Sequence, residues 1–209
     1  FGNVESDDVI VNLSALETFL PDKRLFFLEG RDVFFTTPRS DPNGNFFPVT
    51  VVNTKRIGGA ARLPTLPEDV TFNRTEKYRQ VELNAALKAT GQIGSMRYGL
   101  LAANEDDILL RTNTGIVKQT GSDYGVARFI WERNNGGSYR ALGFISTITK
   151  HRESDAVVHG LDYHYLSTNG KWKLDGQLLY SDTDLVGQGW GALADLVYSP
   201  KRGLRIDLD

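Results

Sequence analysis

The run 157-VVHGLDYHYLSTNGKWKLDGQLLYS-181 decides the fold. Asn169-Gly170 is a strong short-range signal for a two-residue type I′ hairpin turn, and placing the turn there sets a register that polarity can test. Thr168 then pairs with Lys171, Leu166 with Lys173, His164 with Asp175 and Asp162 with Gln177. The alternate positions pair Ser167 with Trp172, Tyr165 with Leu174, Tyr163 with Gly176, Leu161 with Leu178 and His159 with Tyr180. Side chains alternate across a strand, so one face becomes aromatic and aliphatic while the other carries charge and amide. Register and polarity agree.

Working outward, similar segments recur over 81–89, 93–104, 123–132, 139–149, 157–166, 171–181 and 188–198, most of them bounded by Gly, Asn, Asp or Ser. Gly makes up 21 of the 209 residues and lies inside several of these segments, which argues against long helices. The expectation is an all-β antiparallel meander over 81–209, with a connecting segment at 51–80 and an irregular segment with a short helix at 1–50. Ser14-Ala-Leu-Glu17 reads as a capping box for that helix, with Pro21 as its stop.

A soluble sandwich hides one face of each strand, and so does the wall of a transmembrane barrel. Three features favour the barrel. The segments approach the roughly 9–11 residues that a tilted strand needs to cross lipid. Trp172 beside the turn and Tyr180 near the far end bracket Leu174 and Leu178, as interfacial aromatic girdles would. The opposite face, with Asp162, His164, Lys173, Asp175 and Gln177, has the polarity of a lumen. Barrel closure requires the first strand to pair with the last, and the chain reads as part of something longer, so an open sheet is expected.

The preceding hairpin reads less cleanly. Phe129 and Trp131 share one face of 123–132, while Tyr139, Ala141 and Ile145 share one face of 139–149. Bringing those faces together puts Arg128 and Arg140 on the other side. It also requires an odd number of loop residues between the strands, so a three- or five-residue turn is expected.

Composition narrows the function. A formal charge of −2 with 40% hydrophobic residues excludes a polybasic nucleic-acid binder, and the absence of Cys excludes thiol catalysis, disulfides and thiolate zinc sites. No run reaches the roughly 18 apolar residues of a membrane helix.

The segment 2-GNVESDDVIVNLSALETFLPDKRLFFLEGRDVFF-35 resembles the DUF5916 family. The likeness is carried by Gly2, Val4, Glu5, Asp7, Asn12, Leu13, Glu17, Thr18, Phe19, Lys23, Arg24, Phe26, Phe27, Leu28, Glu29 and Gly30. Leu25 stands where the family pattern has proline, and Leu20 where it has an aromatic residue. Similar texture recurs at 55–59, 85–105 and 142–152. The resemblance implies a Gram-negative outer-membrane β-barrel protein, commonly preceded by a carbohydrate-binding, family-9-like domain. Outer-membrane lipid and a glycan or oligosaccharide are the implied partners.

The aromatic and charged run 18–35 suits a barrel entrance, where its Phe rings meet the wall and Lys23, Arg24, Glu29 and Arg31 pair with one another or with lumen side chains. It is therefore expected to pack on the polar side of the sheet, with Glu29 joined to an Arg or Lys. Candidate lumen residues are Lys23, Arg24, Glu29, Arg31, Arg128, Arg140, Asp162, His164, Lys173, Asp175 and Gln177. No catalytic residue, cofactor or metal is assigned: His159 and His164 point to opposite faces, and Asp182-Thr-Asp184 is only a fragment of a calcium loop. The chain is read as a pore, scaffold or transport-related module, non-enzymatic within this segment. Two alternatives stand beside it, a soluble or periplasmic β-domain binding saccharide at Trp172 or Trp190 and a glycoside-acting enzyme using Glu17 or Glu29.

Overall fold

The computed structural model describes residues 22–40, 50–73 and 75–208. The capping-box helix at 14–17 lies outside them. An eight-stranded antiparallel sheet has the order β1 (Leu83–Ile93), β2 (Met96–Glu105), β5 (Asp123–Asn135), β6 (Ser138–Lys150), β7 (Ala156–Leu166), β8 (Trp172–Thr183), β9 (Gly187–Lys201) and β10 (Leu204–Leu208). A separate hairpin, β3 (Ile108–Arg111) with β4 (Ile116–Gln119), sits in the β2–β5 connection. β1 and β10 are the two edges and do not pair, so the sheet is open, as expected.

The β7–β8 register follows the sequence reading from Leu166↔Lys173 through His164↔Asp175 and Asp162↔Gln177 to His159↔Tyr180. Its turn differs. A type I′ turn needs positive φ at both central residues, whereas here only Gly170 has it, at 67°. The Ser167 carbonyl accepts from Gly170 N–H at 2.8 Å, and the Asn169 carboxamide accepts from Ser167 Oγ at 2.8 Å and from Lys171 N–H at 3.0 Å. These side-chain bonds hold a four-residue loop, Thr168–Lys171, so Thr168 and Lys171 are not a ladder pair. Two and four loop residues have the same parity, which preserves the register.

The β5–β6 turn corrects the sequence reading outright. Asn135 pairs with Ser138, leaving Gly136-Gly137 as a two-residue loop with φ of 56° and 88°. Phe129 therefore faces Phe144, and Trp131 faces Leu142. Both faces of β6 carry apolar residues, so polarity did not define its parity. Ala141 and Ile145 lie on the same face as Arg128, and Arg140 lies on the other.

The turns at 94–95, 136–137, 168–171 and 202–203 all lie at one end of the sheet, and the connections 106–122, 151–155 and 184–186, of which the first is much the longest, lie at the other. Residues 22–40 cover one face. They begin beside the long-connection end, form α1 (Leu25–Leu28) and a 3₁₀ turn at Arg31–Phe34, and cross toward β9. Phe27 and Phe34 join Ile57, Leu101 and Ala103 in one buried cluster, and Val33 joins Ile130 and Ala141 in another. Gly99 makes the close approach possible, because a Cβ there would overlap Val33 and the Phe34 ring.

Gly170→Val should destabilise the protein by about 1–2 kcal/mol, the cost of a left-handed backbone for an L-residue, because a Cβ there meets nothing within 4 Å. Equilibrium denaturation checks this, and an unchanged midpoint would contradict it.

Candidate functional site

The covered face carries the charge. Arg128 on β5 is 1% exposed and Asp162 on β7 is 2% exposed. Two guanidinium nitrogens of Arg128 donate to the two Asp162 carboxylate oxygens at 2.5 and 2.7 Å. This bidentate pair spans the intervening strand β6 over Gly143, where a Cβ would overlap both groups. The remaining Arg128 donors reach the covering segment, Nε to the Val33 carbonyl at 3.2 Å and Nη2 to the Phe35 carbonyl at 3.3 Å. One arginine thus joins two strands to the segment that crosses them.

The network continues across β7 and β8. His164 contacts Asp162 through Nε2 at 2.9 Å and Asp175 through Nδ1 at 2.6 Å, and Lys173 Nζ reaches Asp175 at 3.0 Å. Gln177 Nε2 donates to Thr36 Oγ1 at 2.5 Å. Five of the residues expected to line a lumen, Asp162, His164, Lys173, Asp175 and Gln177, share one face of β7 and β8, with Arg128 joined to them through Asp162. Arg140 does not belong there. It lies on the opposite, exposed face with its guanidinium 5.7 Å from the Tyr165 ring centroid.

Within the crossing segment, Arg24 donates to both Asp22 oxygens and to the Thr54 and Ile57 carbonyls, and lies 4.2 Å over the Phe27 ring. Burial works against ionisation of Asp22, but the Arg24 hydrogen bonds and charge, with Thr54 Oγ1, hold its carboxyl below the usual value. Lys23 and Glu29 are exposed, and Arg31 stands 5.8 Å from the Phe35 ring centroid. Lys88 Nζ donates to the Phe26 and Glu29 carbonyls, so it is the backbone of Glu29 that meets this lysine.

Several members escaped the sequence reading. Arg97 pairs with Asp32 and lies 3.6 Å from Glu132, which accepts from Tyr139 OH at 2.8 Å, and Arg39 Nε donates to Asp195 at 2.8 Å. The signal for Arg97 was its place on the inner parity of β2, legible once Leu101 and Ala103 are assigned to the core. Arg39 and Asp195 lie 156 positions apart and had no local signal.

The opposite face is largely apolar, and no described residue covers it. Leu87, Leu100, Phe129, Trp131, Leu142, Phe144, Leu161, Leu178 and Trp190 are all exposed, with Leu161 at 50% and Trp190 at 72%. The rings of Phe144, His159, Tyr180 and Trp190 form a row across β6–β9, with successive centroids 6.3, 6.4 and 4.8 Å apart. Near the short turns, Trp172 stacks on Tyr198 at 4.0 Å.

The DUF5916 family, described as a domain of unknown function, matches residues 1–199. This chain belongs to that family. No curated protein and no solved structure matches it. In this DUF5916 chain the inner charges are balanced against one another, and their partners include main-chain carbonyls of residues 22–40. The cluster is thus built to hold that segment on the sheet.

Arg128→Met should destabilise the protein by roughly 3–5 kcal/mol, since Asp162 would be left buried without its partner. It should also speed amide exchange at 33–36. Arg128→Met with Asp162→Leu should recover part of the loss in denaturation, and a double variant no better than the single would contradict the pairing.

For Asp22, a folded pKa below the unfolded one means that its contribution is complete above the unfolded value of about 3.9 and is lost as pH falls through the folded value. Protease cleavage within 22–40 should accelerate on acidification below about pH 4. Asp22→Asn should cleave faster at neutral pH and show less of that acid dependence.

Proposed function

We propose that this sheet is part of the wall of a Gram-negative outer-membrane β-barrel, with its uncovered face in lipid and residues 22–40 as a strap inside the lumen. One observation carries the reading. The exposures are inverted relative to a water-soluble sheet, with Leu161 and Leu178 at 50% and 43% exposed while Asp162 and Asp175 are at 2% and 3%. Water would penalise an apolar surface extending over so many strands, whereas hydrocarbon would match it. The main strands from β1 to β9 have 10–15 residues, enough to cross a bilayer at a tilt. The two aromatic groupings stand where girdles belong, and the long connection 106–122, at the end opposite the two-residue turns 94–95 and 136–137, fits an external end.

A wall lined by charge and crossed by a strap serves a pore, scaffold or transport-related role. The strap would restrict such a lumen. A glycan-utilisation context rests on the family resemblance alone.

The chain has no cysteine, so single cysteines report cleanly. In the intact, lipid-reconstituted protein, cysteines at Leu174, Leu178 and Tyr180 should react with a membrane-confined probe. Those at Lys173, Asp175 and Gln177 should favour a small water-soluble reagent, more slowly where the strap covers them. Leu178→Arg should cost about 2–4 kcal/mol near the midplane. Loss of the alternation along 173–180 would overturn the membrane reading and return the saccharide-binding soluble domain to the fore.

A further inference from the structure

Residues 59–73 with 75–82 and the connection 106–122 form one body at the end of the sheet opposite the two-residue turns. They share a small core of their own, in which Ala61, Val81, Ile108 and Leu110 are buried and Phe72 packs against them. The first segment also covers the outer edge of β3. Asn73 N–H donates to the Arg111 carbonyl at 3.2 Å, Arg79 Nη1 to the Leu109 carbonyl at 2.8 Å, and Asn113 N–H to the Thr71 carbonyl at 3.0 Å. Two stretches distant in the chain are thus closed into a unit whose core is separate from the clusters beneath the strap.

The two sides of this unit are attached differently. Beside β1, β2 and β5 all four of its chain connections enter the sheet together. There the buried Glu105 carboxylate accepts from Gly58 N–H at 2.8 Å and Ser122 N–H at 3.1 Å, and Asp106 N–H donates to the Glu82 carbonyl at 2.8 Å. On the far side the unit reaches the β6–β7 connection 151–155, and among the described residues every hydrogen bond there involves a side chain. Arg62 Nη1 donates to Ser154 Oγ at 3.0 Å. His151 Nε2 donates to the Thr120 carbonyl at 3.1 Å and lies 3.2 Å from the Gln119 carboxamide, while its Nδ1 accepts from Glu153 N–H at 3.3 Å. Covalent and main-chain ties on one side, with a few side-chain bonds on the other, are the construction of a hinge and a latch.

We propose that this unit is a lid, hinged at Glu105 and latched at Ser154 and His151, that moves as one body over the ends of β5 and β6. Opening breaks only the latch, because the core and edge bonds inside the lid stay closed. Its role as a gate rests on the membrane reading, which puts it at the external mouth on the side of the strap. Its movement as one body does not rest on that reading.

Spin-label distances test the movement, and the chain has no cysteine of its own to interfere. Labels at the exposed lid positions Tyr78 and Leu109 are each paired with one at exposed Leu185 in the β8–β9 connection, and a third pair, Tyr78 with Ile116, lies within the lid. Ser154→Ala with His151→Leu should lengthen both distances to Leu185 and leave the distance within the lid unchanged, which also shows that the variant keeps its fold. No lengthening, or lengthening at one lid position alone, would overturn the lid. Gating is read in planar bilayers. Cysteines at Arg62 and Ser154 joined by a short cleavable bifunctional thiol reagent should lower ion conductance at least severalfold, and cleavage should restore it. Equal conductance before and after joining, or none in either state, would overturn the gate. The labelling pattern along 173–180 is read separately, so the lid can fail while the membrane reading stands, and the reverse.

Discussion

A guanidinium and a carboxylate, both almost wholly out of water, hold the centre of this molecule. Burying either alone would cost several kcal/mol, and their mutual attraction offsets that only with good geometry and satisfied remaining donors. Arg128 meets both conditions, with two bonds to Asp162 and two to main-chain carbonyls at Val33 and Phe35. Gly143 keeps the strand between them low enough for the pair to close. The crossing segment therefore has a fixed place on β5, and Asp162 in turn positions His164 and, through it, Asp175. Remove the pair, and the polar face loses its central tie to the crossing segment at Val33 and Phe35.

That cover is bimodal along its length. Near β1 and β2 it is held by apolar contact, Phe27 and Phe34 against Leu101 and Ala103, joined by Lys88 at the Phe26 and Glu29 carbonyls and Arg97 at Asp32. Toward β8 and β9 it is held by polar groups, Thr36 with Gln177 and Arg39 with Asp195. Apolar burial is insensitive to direction, whereas hydrogen bonds and ion pairs demand fixed geometry and respond to pH and salt. The face that no described residue covers follows the opposite logic, with Leu, Phe and Trp side chains standing outward across β1–β9.

Much of the sheet is legible in the sequence. The β7–β8 partners from 159 to 180 were readable because turn chemistry and alternation there agree. The next hairpin misled because β6 is apolar on both faces, Ile145 and Ala141 inward and Leu142 and Phe144 outward, so a parity chosen from hydrophobicity had no unique answer. The correct turn, Gly136-Gly137, was present in the sequence as a glycine pair able to take positive φ twice. Arg140 was lost to the same ambiguity and moved to the outer face with it.

The sequence by itself determined an all-β meander, the alternation of two unlike faces and the family. All three are carried by residues close together in the chain or by motif likeness. The tertiary structure decided which residues cover the polar face and how its charges are paired. Those contacts join positions 34, 95, 141 and 156 apart, as in Arg128–Asp162, Val33–Arg128, Thr36–Gln177 and Arg39–Asp195. No local period encodes such a separation. Each pair requires the sheet register that brings its partners to one side, where a buried polar or charged group left unpaired would be costly.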